Sequence, residues 1–317
     1  MPTPSWTPTR WAGNGEVRLA HDELAGRRDG EPLLLVTGLG VSRFWWPDGL
    51  AEALAARGFA VARYDQRDAG ESTHLPPATR PRNPIAALST KRSVAYTAED
   101  MTDDAVAVLD ALGWDSAHLL GQSLGGATAQ RVALRHPRRV RTLTSLSAVP
   151  GDAAGLSTLR YIRLRTLARL ARMTFPDTPE GDIEAGIALA RLLHSPAHPL
   201  DEQATRRTVT DLADAGVRNS DAQSRQIGAR WHGGTIREIT APTLVLHGED
   251  DPLVKPSGGR TTAARIPGAR FVPLPGVGHD LPAAAWEEVA CHVARLAGLA
   301  RPDAADGPDG LDGTRRA

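Results

Sequence analysis

One stretch constrains this chain more than any other. A short apolar run, Ala117 to Leu120, passes directly into Gly121-Gln122-Ser123-Leu124-Gly125 and then into an alanine-rich segment, Gly125 to His136, of helical composition. Chance alone yields about 0.1 matches to G-x-S-x-G in a chain of this length, so the flanks carry the information. A serine hydroxyl is a poor nucleophile and becomes useful only when a sharp turn exposes it to a base. Such a turn forces unusual backbone angles and close strand–helix contact. Glycines on both sides remove the side chains that would clash. A helix starting beside Ser123 also aims free N–H groups at negative charge developing there. Strand, turn and helix in this order are the context that an exposed nucleophile needs.

The same alternation recurs along the chain. Pro32 to Val36, Phe59 to Tyr64, Val140 to Leu146, Thr243 to His247 and Arg270 to Leu274 read as strands. Asp48 to Arg57, Glu99 to Leu112 and Ala283 to Leu296 read as helices, the first two stopped by Gly58 and Gly113. Strands separated by helices predict an α/β fold with a mostly parallel central sheet and helices on both faces. The alternation fails between residues 151 and 240, which are polar, rich in Arg and Ala, and helical in pieces such as Leu159 to Ala171 and Asp182 to His194. The expected organisation is a core of residues 1–150 and 241–300, with residues 151–240 as a helical cap over the C-terminal edge of the sheet. The alternative for that insert is a separate helical domain. Residues 73–94, with four prolines and four basic side chains, read as a long functional or mobile loop. Residues 301–317, rich in Pro, Asp and Gly, read as a disordered tail.

A nucleophilic serine needs a base, and the base needs an orienting acid. The strand Thr243 to His247 runs into Gly248-Glu249-Asp250-Asp251-Pro252, where three acids compete. Asp251, fourth in a G-x-x-D turn, is placed to point back over the sheet edge; Asp250 and Glu249 are the alternatives. The strand Arg270 to Leu274 runs into Pro275-Gly276-Val277-Gly278-His279, which puts His279 on a loosened turn beyond the last strand. Of the other histidines, His136 reads as a surface residue and His247 as a core or loop residue. His194, His198 and His232 lack metal-ligand spacing. An oxyanion also needs two preorganised N–H donors. Leu124 follows the nucleophile, and Leu39 lies in Thr37-Gly38-Leu39-Gly40 after the first central strand. Trp45 and Trp46 follow that loop, either lining a pocket or packing.

Composition narrows the class. The 317 residues are 41% hydrophobic, enough for a sizeable core, and 37 basic side chains balance 37 acidic ones. A neutral chain has no net field to draw in nucleic acid or an anionic membrane, so the expected partner is a small molecule. The single cysteine, Cys291, cannot form an internal disulfide and reads as a small buried apolar residue. No run approaches the length of a membrane span, and residues 1–15 lack a signal-peptide pattern, so a cytoplasmic protein is expected. Oligomeric state is not legible here.

Block by block, PLLLVTGLG, RYDQRDAGEST, GQSLGGATAQ, PTLVLHGEDDPLV and LPGVGHDLP resemble the α/β-hydrolase superfamily. The RYD-x-RD-x-G-x-S block, the DDAVAVLD helix and the GxGH-x-LP ending are similar to those of aclacinomycin methylesterases, which cut a methyl ester from an aromatic polyketide. The resemblance implies an α/β-hydrolase fold, the triad Ser123, Asp251 and His279, and oxyanion donors Leu39 and Leu124. It implies hydrolysis of a hydrophobic small-molecule ester through an acyl-enzyme, with no metal or organic cofactor. It also implies that Asp65, Arg67 and Asp68 are structural. Thr37 departs from the histidine that many relatives carry, and the insert matches least. The same triad also serves C–C bond hydrolysis, perhydrolysis or acyl transfer, and the fold can serve as a lyase or binding protein.

Overall fold

In the computed structural model, which describes residues 5–26, 29–76, 95–153, 155–176, 178–214 and 222–299, Leu33, Leu34, Leu35 and Val36 are wholly buried. Leu33 and Leu35 enter one hydrophobic core and Leu34 and Val36 another. This period-2 division marks a strand covered on both faces. The strand is β3 (Glu31–Val36) of an eight-stranded sheet. Its companions are β1 (Arg10–Asn14), β2 (Val17–Glu23), β4 (Phe59–Tyr64), β5 (Ala117–Gln122), β6 (Val140–Leu146), β7 (Thr243–Gly248) and β8 (Arg270–Leu274). Their spatial order is β1-β2-β4-β3-β5-β6-β7-β8. From β4 to β8 every neighbouring pair is parallel, and β1 and β2 extend the sheet antiparallel.

Helices α1 (Asp48–Ala56) and α9 (Ala283–Leu296) pack on the first core. Helices α2 (Ala98–Leu112) and α3 (Leu124–Arg135) pack on the second. Helix α2 buries Met101, Ala105, Val108 and Leu109, one stripe at helical spacing. A capping box between Thr97 and Asp100 starts it and a left-handed Gly113 ends it.

Within residues 151–240 the described residues form α4 (Leu164–Leu170), α5 (Pro179–Leu193), α6 (Glu202–Asp214) and α7 (Ala222–Gly228). Helices α5 and α6 meet closely, because a Cβ on Gly186 would lie 2.4 Å from Val209 Cγ1. No helix among the described residues is long and apolar enough to cross a membrane. Residues 77–94, most of the expected long loop, and the expected tail at 301–317 lie outside the described residues.

Several local expectations are corrected. The helix predicted over Leu159 to Ala171 breaks at Ile162, because Ile162 bridges Val254 and Arg163 N–H donates to Leu253 O at 2.8 Å. Residues 10–23, to which the sequence patterns assign no element, form the β1–β2 hairpin; Gly15, at φ 60°, opens its short loop. Residues Pro256–Arg265 form a further helix, α8, that periodicity did not reveal. Cys291 is partly exposed rather than buried.

A buried ionic knot ties the hairpin to the central strands. Arg43, without solvent exposure, donates to Asp22 at 2.9 Å and to Thr9 at 2.8 Å, and it pairs with Asp65 and Glu71. Asp22 also binds Arg63 at 2.8 Å, and Asp65 accepts from Ser42 Oγ at 2.9 Å. Removing one member of such a group strands its partners. Arg43→Met is therefore expected to cost about 3–5 kcal/mol, read from the urea unfolding midpoint at constant slope. A loss below about 1 kcal/mol would show that the knot is not what holds these strands.

Candidate active site

Three turns at the C-terminal edge of the parallel sheet carry the residues singled out by sequence. The first follows β5. Ser123 adopts φ 56° and ψ −121°, an unusual conformation for a residue with a side chain. The surrounding backbone enforces it. A Cβ on Gly121 would lie 2.2 Å from Gly125 O, and one on Gly125 would lie 2.1 Å from Val36 O and 2.3 Å from Thr37 O. Only glycine fits at either position. Helix α3 therefore starts against the ends of both β5 and β3, with Ser123 half-exposed at its head.

The second turn follows β7. Asp251 is wholly buried, and its Oδ1 accepts from the N–H groups of Leu253 at 2.8 Å and Val254 at 2.7 Å. Its Oδ2 lies 2.7 Å from His279 Nδ1. Asp250 and Glu249 are exposed; Asp250 accepts from Ser195 Oγ at 3.1 Å. Of the three competing acids, Asp251 is the one paired with the histidine.

The third turn follows β8 and holds His279. Gln122 Nε2, from the residue before Ser123, donates to His279 O at 2.7 Å. His279 N–H donates to Leu193 O at the end of α5 at 2.9 Å. The histidine backbone is thus clamped from both sides. Among the described residues no hydrogen bond joins Ser123 Oγ to His279. Nucleophile–base bonds are often loose in a free enzyme and tighten when substrate arrives.

Electrostatics favour a charged acid under a basic histidine. Burial opposes charge on Asp251, but His279 and His247 outweigh it and hold the carboxyl well below the usual carboxylate range. Burial likewise opposes charge on His279, and the Asp251 carboxylate outweighs it, raising the imidazole above its ordinary 6.5. His247, read from sequence only as a core or loop residue, is wholly buried with Nε2 3.5 Å from Asp251 Oδ2 and 3.0 Å from Val254 O. Its position at the end of β7, one helical turn's length before Asp251, was the available signal.

Gly38 faces Ser123: a Cβ there would lie 3.6 Å from Ser123 Cβ. This brings the loop containing Leu39 beside the elbow. Among the described residues, the N–H groups of Leu39 and Leu124 have no protein acceptor. Gln66 Nε2 donates to Thr37 O at 2.7 Å, which steadies the start of the loop. Trp46 belongs to the first hydrophobic core rather than to the site, and Trp45 is half-buried. The Leu124 side chain packs on an apolar cluster of Tyr96, Ala98, Met101 and Ala229, together with Leu75 and Trp231. Sequence reading missed this cluster because its members are scattered over distant segments. Asp65, Arg67 and Asp68 make structural ion pairs, with Arg43, Asp104 and Arg225 respectively. No group of three or more His, Cys, Asp or Glu among the described residues is arranged to hold a metal ion.

Comparison with known proteins agrees with this fold. A family model for the alpha/beta hydrolase fold matches residues 31–282. Rhodomycin D methylesterase DnrP of Streptomyces peucetius is 32% identical over 306 residues, covering 90% of this chain and 97% of its own length. DauP of Streptomyces sp. (strain C5), also a rhodomycin D methylesterase, is 32% identical over 304 residues with the same coverage. A solved hydrolase structure from Pseudomonas aeruginosa PA01 aligns with TM-score 0.67 at 24% identity, covering 92% of this chain and 98% of that one, which speaks to fold alone. The chain belongs to the α/β-hydrolase fold family, as a methylesterase-like enzyme.

Proposed function

We propose that this protein hydrolyses a carboxylic ester of a hydrophobic small molecule, with the methyl ester of an aromatic, polyketide-like compound as the substrate class. The observation that carries the reading is the Asp251–His279 pair, at 2.7 Å, bonded through Gln122 to the strained Ser123 turn. Ser123 Oγ attacks the ester carbonyl while His279 Nε2 takes its proton. The N–H groups of Leu39 and Leu124 receive the oxyanion. His279 returns the proton to the leaving alkoxide, which departs as methanol. Water, deprotonated by His279, then releases the acid from the acyl-enzyme. The substrate class draws support from the rhodomycin D methylesterases and from the apolar cluster beside Leu124.

Ser123→Ala is expected to lower turnover of an activated ester by about 10⁴- to 10⁶-fold while leaving the unfolding transition in place. Wild-type turnover by that variant, or failure of the wild type to release methanol from any aromatic methyl ester, would sink the reading.

The acids give a sharper contrast. Asp251→Asn is expected to cost about 10²- to 10⁴-fold in kcat, because it loses imidazolium stabilisation and the correct tautomer. Asp250→Asn and Glu249→Gln are expected to cost less than about tenfold. A larger loss at Asp250 than at Asp251 would reverse the assignment.

The pH profile follows from the same pair. His279 accepts a proton only when neutral, so log kcat/KM rises with a slope near one below its pKa and levels off above it. Because Asp251 raises that pKa, the midpoint should lie above 6.5 and move down in Asp251→Asn. A profile measured from about pH 5 to 9 that stays flat, or a midpoint unmoved by the substitution, would contradict this.

A further inference from the structure

Gly40 closes the loop that carries Leu39, and its N–H donates to Gln226 Oε1 at 2.8 Å. The same side chain uses its Nε2 to donate to Arg67 O at 2.9 Å. Gln226 lies on α7 of the insert and is 1% exposed. Gly40 follows β3 and Arg67 follows β4, adjacent parallel strands. One buried amide thus bridges the segments leaving two neighbouring strands, supplying an acceptor to one and a donor to the other.

The helix bearing Gln226 is itself pinned. Arg225 grips Asp68 with Nε and Nη2, at 2.7 and 2.9 Å, in a buried bidentate pair. Bidentate pairs of this kind fix orientation as well as distance. Gly40 sits at φ 62°, and a Cβ there would lie 2.5 Å from Gln223 Cγ, so the loop and α7 are in close contact. Without the amide, the buried Arg67 carbonyl and the partly buried Gly40 N–H lose these partners, which is costly unless the loop moves to find others. Leu39 precedes Gly40 directly, so that movement displaces its N–H.

We propose that Gln226 is a positioning residue, which holds the Leu39 amide in the oxyanion hole from the insert side. The insert then contributes to transition-state stabilisation as well as to substrate selection. This rests on the reading of Ser123 as nucleophile and Leu39 as oxyanion donor.

The test compares Gln226→Met, similar in length but without the amide, with Gln226→Glu, which keeps an acceptor for Gly40 and loses the donor to Arg67. Active sites are titrated with a fluorophosphonate probe so that kcat refers to folded, reactive enzyme. For Gln226→Met, kcat per titrated site should fall by about 10- to 100-fold, less than the 10²–10³ lost when an oxyanion donor is deleted outright. KM should change by less than about threefold and the pH midpoint should stay in place, because the Asp251–His279 pair is untouched. Affinity for a trifluoromethyl ketone, whose hemiketal oxygen mimics the oxyanion, should fall by the same factor as kcat/KM. Gln226→Glu should recover part of the loss. Wild-type kcat per titrated site in Gln226→Met, or a loss of kcat without a matching loss of ketone affinity, would overturn the proposal. If the wild type itself is not labelled on Ser123, the parent reading fails as well; labelling with an indifferent Gln226→Met defeats this inference alone.

Discussion

The carbonyl oxygens of Val36 and Thr37 occupy the space that any side chain at position 125 would need. The helix that begins beside Ser123 therefore meets the end of β3 backbone to backbone, which is possible only with glycine there. This contact brings the nucleophile and the Leu39 loop together, since both leave adjacent parallel strands at the same sheet edge. It also holds Ser123 at positive φ, a strain of order 1–3 kcal/mol that the surrounding structure must over-determine. Asp251 and His279 arrive on β7 and β8, which lie beyond β6, so the parallel order of the sheet converts sequence order into a linear array of turns.

The insert, residues 151–240, bonds to this array at several points. Its Arg163 Nε donates to Asp251 O at 2.8 Å, its Leu193 carbonyl accepts from His279 N–H, and its Gln226 braces Gly40. His194 adds a bond to Asp280, beside the histidine, at 2.5 Å. Gly278 is pressed so tightly against the end of α5 that a Cβ would lie 2.6 Å from Leu193 O. The turns after β7 and β8 and the loop after β3 are therefore each buttressed by a different part of residues 151–240. Substitutions at these braces are expected to alter rate.

What could be read from sequence follows from what is local. Short apolar runs such as Pro32 to Val36 mark buried parallel strands because both faces must be apolar, and Ser123, Asp251 and His279 each fall after a short, largely apolar run. Helix α8 was illegible because Gly258 and Gly259 lower helix propensity; a Cβ on Gly259 would lie 2.7 Å from His247 Nδ1, so glycine is needed there. The β1–β2 hairpin was missed because Arg10–Asn14 lacks the alternation of a strand and gains order from pairing with β2. Gln226 and Arg225 gave no signal because their roles depend on partners brought close only by the fold; Gln226 and Gly40 are 186 residues apart. Long-range polar pairing is the part of a site that pattern reading cannot supply.

The central claim is that Ser123 is a nucleophile activated by the Asp251–His279 pair. Peptide mapping by mass spectrometry after reaction with a fluorophosphonate probe tests it most directly. The account predicts one phosphonyl adduct per chain, located on Ser123, forming faster as pH rises through the His279 titration. An unmodified Ser123 in folded protein, or an adduct located on another residue, would contradict it.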